Sequence, residues 1–169
     1  MAVTHLRTAG VVGVAALIVA ACGGGVTGTP VAELWDPCSL PTDVLLDAGA
    51  DPEPLNATTQ RQGENEWKFC TFKLERAMLT VFATTTPFDD VAADARATER
   101  QPTSIAGEPA IQFLLPEIYR TPSCFVSAGR PYGTVQYVVS ENLMDKTPVS
   151  EVCARTREIA GAFLGYSRW

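Results

Sequence analysis

Apolar and polar residues alternate in several segments of the chain, which is the spacing of a half-buried β-strand. Aromatic and aliphatic residues follow this pattern through 67–74 and again through 79–83, on either side of a charged bend, and so predict a β-hairpin. Residues 110–115 predict a further strand. Residues 124–127 and 134–139 are rich in strand-forming types and are separated by glycine and proline, so they predict a second hairpin.

Other segments carry apolar residues at helical spacing. The clearest is 148–164, which opens with a proline and places its apolar residues on one side: Val149, Val152, Cys153, Ile159, Ala160, Phe163 and Leu164. Residues 43–49 predict a short helix that ends at Gly49. Thr86 and Pro87 begin a weaker helix, whereas residues 51–63 contain prolines and amides and predict a loop.

This order of elements predicts an α+β fold. We expect an antiparallel sheet of about five strands in two hairpin-based halves, packed with the short N-terminal helix and the amphipathic C-terminal helix. Each half contains one strand cysteine, Cys70 or Cys124, and one helix-associated cysteine, Cys38 or Cys153. We interpret this as a loose internal duplication, which favours the bridges Cys38–Cys70 and Cys124–Cys153 among the three possible pairings.

The first residues have the layout of an export signal. A short head with His5 and Arg7 leads into an uncharged run over 9–20, which is well short of the ~20 residues that a membrane-spanning helix needs. The run ends in Val19-Ala20-Ala21-Cys22, which resembles the bacterial lipobox. It therefore predicts cleavage before Cys22 and attachment of a diacylglyceryl group to its sulfur.

Three segments follow from this interpretation. Residues 1–21 are a lipoprotein signal peptide, 22–35 are a glycine-rich flexible tether, and 36–169 are a single disulfide-stabilised α+β domain. The predicted location is the extracytoplasmic face of the cell membrane, where thiols are readily oxidised to disulfides. The bound lipid would be the protein's link to the membrane.

The net charge of the chain limits the classes of partner that it can bind. The sequence has 13 basic and 19 acidic residues, and removal of 1–21 would take away one basic residue, Arg7, and no acidic one. Such an acid excess argues against nucleic acid as a partner, because affinity for it depends on lysine and arginine. It also argues against docking on anionic lipid.

The predicted exported domain lacks the residues that several kinds of catalysis and cofactor binding need. The only histidine is His5, in the signal peptide, so serine-histidine and cysteine-histidine mechanisms are excluded for the exported domain. Its cysteines are far apart in sequence and no glycine-rich cofactor motif is present, so we expect neither a metal nor a cofactor. We attribute the carboxylate pairs Asp89-Asp90 and Glu64/Glu66 to a helix dipole and an exposed strand.

Two surface features are candidates for recognition. The basic residues Lys73, Arg76, Arg120 and Arg130 are scattered over predicted hairpins and loops, and we interpret them as a solvated surface. The apolar segment 114–120 is more unusual, because Ile118 and Tyr119 would be costly to expose. We expect this segment to pack, or to serve with Arg120 as a recognition loop.

Taken together, these features resemble a family of small actinobacterial, mycobacterial LprB-like lipoproteins that share a domain of unknown function. The residues that carry the resemblance are the lipobox at Cys22, Pro37-Cys38 before a short helix, Cys70 on an aromatic strand, Ile105-Ala106-Gly107-Glu108-Pro109-Ala110, the Cys124 strand and Cys153 at the start of the last helix. The resemblance implies a cell-envelope lipoprotein and supplies no catalytic residues. In the relatives a tryptophan often follows the strand cysteine, whereas here Trp67 precedes Cys70.

The sequence therefore predicts a non-enzymatic binding or interaction module, lipid-anchored at Cys22. Its partner would be a protein or an apolar or cell-wall ligand. Two alternatives stay open: a structural or assembly factor of the envelope, and a carboxylate-dependent hydrolase of envelope polymers.

Overall fold

The computed structural model describes residues 33–116, 121–142 and 146–168. Seven strands lie within them: β1 (Asn56–Gln62), β2 (Asn65–Lys73), β3 (Ala77–Thr84), β4 (Thr98–Ile105), β5 (Glu108–Leu114), β6 (Ser123–Arg130) and β7 (Gly133–Glu141). The α-helices are α1 (Thr42–Asp47), α2 (Phe88–Ala92) and α3 (Val149–Phe163), and short 3₁₀ helices span Pro37–Ser39 and Leu164–Tyr166. Cys22 and the loop residues Ile118, Tyr119 and Arg120 lie outside the described residues.

All seven strands form one antiparallel sheet in the order β1-β2-β3-β7-β6-β5-β4. The two predicted hairpins are present as β2–β3 and β6–β7. They are not separate halves, however, because β3 pairs with β7 along its whole length, with Leu79 opposite Val139. The predicted five-stranded α+β fold in two halves is therefore wrong, and the molecule is a mostly β, single seven-stranded sheet with three short helices.

The sequence did not predict the two edge strands, β1 and β4, and the reason is the same for both. Six of the seven residues of β1 are exposed, in a segment that the sequence predicted to be a loop. Ile105 is the one buried residue of β4, which also contains Pro102 at the open edge. Edge strands that bury neither face need no apolar alternation, and charged residues and proline there oppose edge-to-edge association.

The sheet is apolar on both faces. Cys124 and Phe125 are neighbours on β6 and point to opposite sides, and each is buried in a different apolar cluster. On the Cys124 side lies α3, which buries Val152, Ile159 and Phe163 against β6 and β7. The predicted C-terminal helix is thus confirmed as a core-packing helix. No helix within the described residues is long and apolar enough to cross a membrane.

Both disulfides favoured by the sequence are present and secure this helical side. Cys124 is joined to Cys153 of α3, with 5.1 Å between their Cα atoms. Cys38 is joined to Cys70 of β2, with 5.3 Å between their Cα atoms. Each closes a loop of about thirty residues, for which the chain-entropy model gives a stabilisation of about 3 to 4 kcal/mol.

The opposite face of the sheet is only partly covered. The short helix α2 contacts β6 and β7 there and buries Val91 in a small cluster with Phe113, Leu115, Phe125 and Val138. In contrast, the aromatic residues of β2 and β3 on this face are half-buried rather than covered. An open groove with an apolar floor therefore forms beside α2.

Candidate functional site

The groove lies on the face of the sheet opposite α3 and has a volume of about 440 Å³. Its floor is formed by Trp67 and Phe69 of β2 and Phe82 of β3. These three side chains share one face because Phe69 lies directly opposite Phe82 and Trp67 is two residues along β2. Strand pairing alone therefore assembles the aromatic floor.

The three rings contact one another and remain partly accessible. The Trp67 and Phe82 ring centroids are 6.4 Å apart in an edge-to-face arrangement, and those of Phe69 and Phe82 are 5.4 Å apart. All three residues are half-buried. Contiguous accessible aromatic surface of this kind is uncommon on a soluble domain unless it meets a ligand or partner.

A buried wall closes the groove on the β5–β6 side. Phe113 and Phe125 stack there with 5.2 Å between their ring centroids, and Val91 of α2 and Leu115 pack against them. These side chains are at most 8 % exposed. They therefore shape the groove and offer little surface of their own.

Polar side chains surround the apolar floor. Gln60 and Gln62 of β1 line one side of the groove, and Asp90 and Asp94 line the other. Asp94 forms an ion pair with Arg96, with 2.6 Å between the nearest nitrogen and oxygen. The hydrogen bond from Arg96 holds the pKa of Asp94 below its ordinary value, against the opposing effect of burial. A general acid needs a raised pKa, so Asp94 has the wrong environment for that role.

The least exposed of the groove's amide side chains has no hydrogen-bond partner among the described residues. Gln136 of β7 lines it, is only 7 % exposed, and lies directly opposite Phe82 in the strand register. Within the described part of the chain, no residue hydrogen-bonds its side-chain amide. Its other neighbour across the sheet, Ser127 of β6, also has a buried hydroxyl without a partner. The amide atoms of Gln136 are not fully buried, so they remain open to the groove and can bind a polar group that enters it.

Of the two carboxylate pairs identified in the sequence, Asp89-Asp90 and Glu64/Glu66, only Asp90 lines the groove. Glu66 lies 3.3 Å from Arg61 in an exposed ion pair on the β1–β2 hairpin. Neither of these two pairs therefore places two carboxylates opposite each other in the groove. Within the described residues, no group of three or more histidine, cysteine, aspartate or glutamate side chains could hold a metal ion.

The basic residues do not form one site either. Lys73 and Arg130 lie at opposite ends of the sheet. The Arg130 side chain is 4 % exposed and donates hydrogen bonds to Glu108, to Ser167 and to the carbonyl oxygens of Gly129 and Leu164. A second, more open depression of about 810 Å³ borders it, but the charged groups Arg130, Glu108 and Arg168 there already bind each other.

The sequence did not indicate the groove, although a signal was available. In β2 the residues 67 and 69 on one face are aromatic, and the other face carries the apolar residues Cys70 and Phe72. A strand that is apolar on both faces predicts that something lies against each face. Only the fold shows that one of these faces is left half-open.

A family model matches most of the chain. Its description is "Protein of unknown function (DUF3558)", and it covers residues 17–166, a span that includes Cys22, the groove and the four bridged cysteines. No curated protein and no solved structure matches the sequence.

Proposed function

Because the chain belongs to DUF3558, a family of unknown function, membership assigns no activity, and we propose one from the groove and the N-terminal sequence. The protein is a non-enzymatic binding module that takes its ligand in the aromatic groove. It is anchored by lipid on Cys22 at the extracytoplasmic face of the cell membrane. It belongs among the small LprB-like lipoproteins of actinobacteria.

The composition of the groove supports the proposal that the protein binds a ligand. Three half-buried rings and an unpartnered amide, Gln136, occupy one concavity of about 440 Å³. Binding sites for small ligands typically combine an apolar, aromatic lining with a few polar groups that fix orientation. Accessible aromatic surface costs stability in a free protein, so its presence beside an available amide in one concavity favours a role in binding.

The proposed anchor would hold this groove close to the membrane. The chain joins the domain at Leu34 and Trp35, both buried, and the carbonyl oxygen of Leu34 accepts a hydrogen bond from Lys68. Leu34 lies twelve positions after Cys22, and a fully extended chain spans at most about 3.6 Å per residue. The side chain of Lys68 lies on the α3 face, so the tether would join the domain on the face opposite the groove.

Anchoring is tested by comparing the full chain with its Cys22→Ala variant in an actinobacterial host fed a labelled fatty acid. We expect the wild-type protein to take up label and fractionate with the membrane, and the variant to do neither. Thr27→Ala, in the tether, is the matched control and should behave like the wild type. A Cys22→Ala protein that remains in the membrane fraction would refute the lipid anchor.

A further inference from the structure

We propose that the ligand of the aromatic groove is a carbohydrate, a chain of uncharged or amino-bearing sugar rings, rather than an acyl chain or a peptide. This inference rests on the proposed function of the groove as a binding site. It follows from the combination of partly accessible aromatic rings, a groove-lining amide that no described residue hydrogen-bonds, and a polar rim.

The ring faces provide the apolar part of such a site. Trp67, Phe69 and Phe82 are half-buried, so each ring keeps accessible surface in the groove. An aromatic ring carries partial negative charge on its face. The C–H groups on one side of a sugar ring are slightly positive and form a flat apolar patch. Stacking of that patch on one accessible ring of the floor removes water from both surfaces.

Gln136 discriminates between a sugar and an acyl chain. Its side chain offers one acceptor oxygen and two N–H donors, and no described residue uses them. A hydroxyl group both donates and accepts, so a pair of sugar hydroxyls can satisfy the amide from the groove. An acyl chain can do neither. It would seal an unpaired amide away from water, at a cost of about 1 to 3 kcal/mol.

The rim matches the edges of a sugar ring. Gln60 and Gln62 lie on one side of the aromatic floor and Asp90 on the other. Amides and carboxylates bind hydroxyls from both sides while the ring stacks below. Asp90 adds negative charge, and Arg96, the one cation that the described residues place on this rim, is paired with Asp94. An anionic sugar would be repelled, so a neutral or amino sugar fits the charge of the groove.

The position of the groove disfavours a peptide. Extended peptides that bind to sheets commonly add a strand at an open edge and form main-chain hydrogen bonds there. The groove instead lies on the face of β2, β3 and β7, which are interior strands whose main-chain groups are paired. Only side chains are available to a ligand in it.

The test measures binding to the full-length protein in lipid nanodiscs by isothermal titration calorimetry. The probes are soluble oligomers of glucose, mannose, arabinose and β-1,4-linked N-acetylglucosamine, with palmitate and an unstructured apolar peptide as competing classes. The variants are Trp67→Ala, Gln136→Leu and Gln60→Ala. Met78→Ala is the matched control, because Met78 lies on the same face, is 48 % exposed and does not line the groove.

We expect at least one sugar oligomer to bind, and Trp67→Ala and Gln136→Leu each to raise its Kd by about tenfold, which corresponds to loss of about 1.4 kcal/mol. Gln60→Ala, at an exposed position that cannot disturb folding, should raise the Kd by a few-fold. Met78→Ala should leave it unchanged. Thermal melting of each variant checks that the fold is retained.

Two results would overturn the inference in distinguishable ways. Palmitate binding that Gln136→Leu strengthens, or peptide binding without sugar binding, would refute the carbohydrate and leave the binding module standing. If sugars, palmitate and peptide all fail to bind the folded protein, the groove as a binding site is refuted together with its ligand.

Discussion

Gln136 of β7 lies directly opposite Phe82 of β3, so an amide with no partner in the described structure borders the ring at the centre of the aromatic floor. The two residues belong to different hairpins and are 54 positions apart in sequence. Their contact exists because β3 and β7 pair, and this pairing is what turns two separate hairpins into one sheet with a groove on its open face.

The unpartnered amide makes Gln136→Leu a stabilising substitution in the absence of ligand. Gln136 is only 7 % exposed and no described residue hydrogen-bonds its amide, so an apolar side chain of similar size should raise the free energy of unfolding by up to about 1 kcal/mol. Urea unfolding at neutral pH measures this change. Gln112→Leu is the matched control, because Gln112 is equally buried but accepts a hydrogen bond from Arg157. It should destabilise the protein, and a loss of stability in Gln136→Leu would contradict our description of the site.

A second prediction concerns Arg130, which binds the C-terminal 3₁₀ helix to the sheet. Its guanidinium donates to Glu108, Ser167 and the carbonyl oxygen of Leu164. We expect Arg130→Met to lower the free energy of unfolding by about 3 kcal/mol, because buried ion pairs that lose one partner cost about 3 to 5 kcal/mol and Glu108 keeps some access to water.

Arg168 provides the control for this experiment. It binds the same carboxylate, at 2.9 Å, but its side chain is 61 % exposed. Arg168→Ala should therefore change the free energy of unfolding by less than about 1 kcal/mol. If chemical denaturation shows equal losses of unfolding free energy for the two substitutions, burial of Arg130 does not determine how much this residue stabilises the protein.

The same contact predicts a pH dependence. The hydrogen bond from Arg130, helped by the charges of Arg130 and Arg168, holds the pKa of Glu108 below its ordinary value of 4.5. A carboxyl group with a lowered folded-state pKa stabilises the protein above its unfolded pKa, and this stabilisation is lost as the pH falls through the folded pKa. The wild-type protein should thus melt at a higher temperature than Glu108→Gln at pH 7, and the difference should shrink towards pH 3. A difference that grows on acidification would reverse the assigned sign.

Two glycines should respond in opposite ways to alanine. At Gly133, in the β6–β7 turn, φ is +141°, and an added Cβ would lie 2.3 Å from the carbonyl oxygen of Thr84. Gly133→Ala should cost about 2 kcal/mol or more, because the obstacle is backbone and cannot rotate away. At Gly161, within α3, an added Cβ meets nothing within 4 Å, so Gly161→Ala should stabilise by about 0.5 to 1 kcal/mol. Thermal or urea unfolding of both variants measures the contrast.

Much of the fold could be predicted wherever one face of an element is buried. Both hairpins, β5, α1 and α3 follow from local spacing, because a covered face demands apolar residues at the period of the element. The two disulfides were favoured for another reason, the matching positions of the cysteines in the two predicted halves. The strands β1 and β4 could not be predicted in this way. Their residues, such as Gln60 and Arg100, are mostly exposed. These strands are held in the sheet by main-chain hydrogen bonds, which do not depend on the side chains.

The groove was less predictable than the fold. The aromatic positions Trp67, Phe69 and Phe82 are visible in the sequence, but apolar residues in strands are ordinarily core residues. Whether they are covered depends on the length and position of α2, a five-residue helix that packs mainly on β6 and β7. The predicted recognition loop at Ile118, Tyr119 and Arg120 stays a prediction.

The sequence by itself determined most of the elements that have a buried face, because each of these depends on the spacing of residues that are near in sequence. It also favoured the correct cysteine pairs, whereas the lipobox at Cys22 stays a prediction. Only the tertiary structure decided that β3 pairs with β7, that β1 and β4 complete the sheet, and that one apolar face remains half-open. The physical reason is that periodicity shows which side of a strand is apolar but not which other element covers that side. The proposed site, with Gln136 beside Phe82, therefore belongs to the second category.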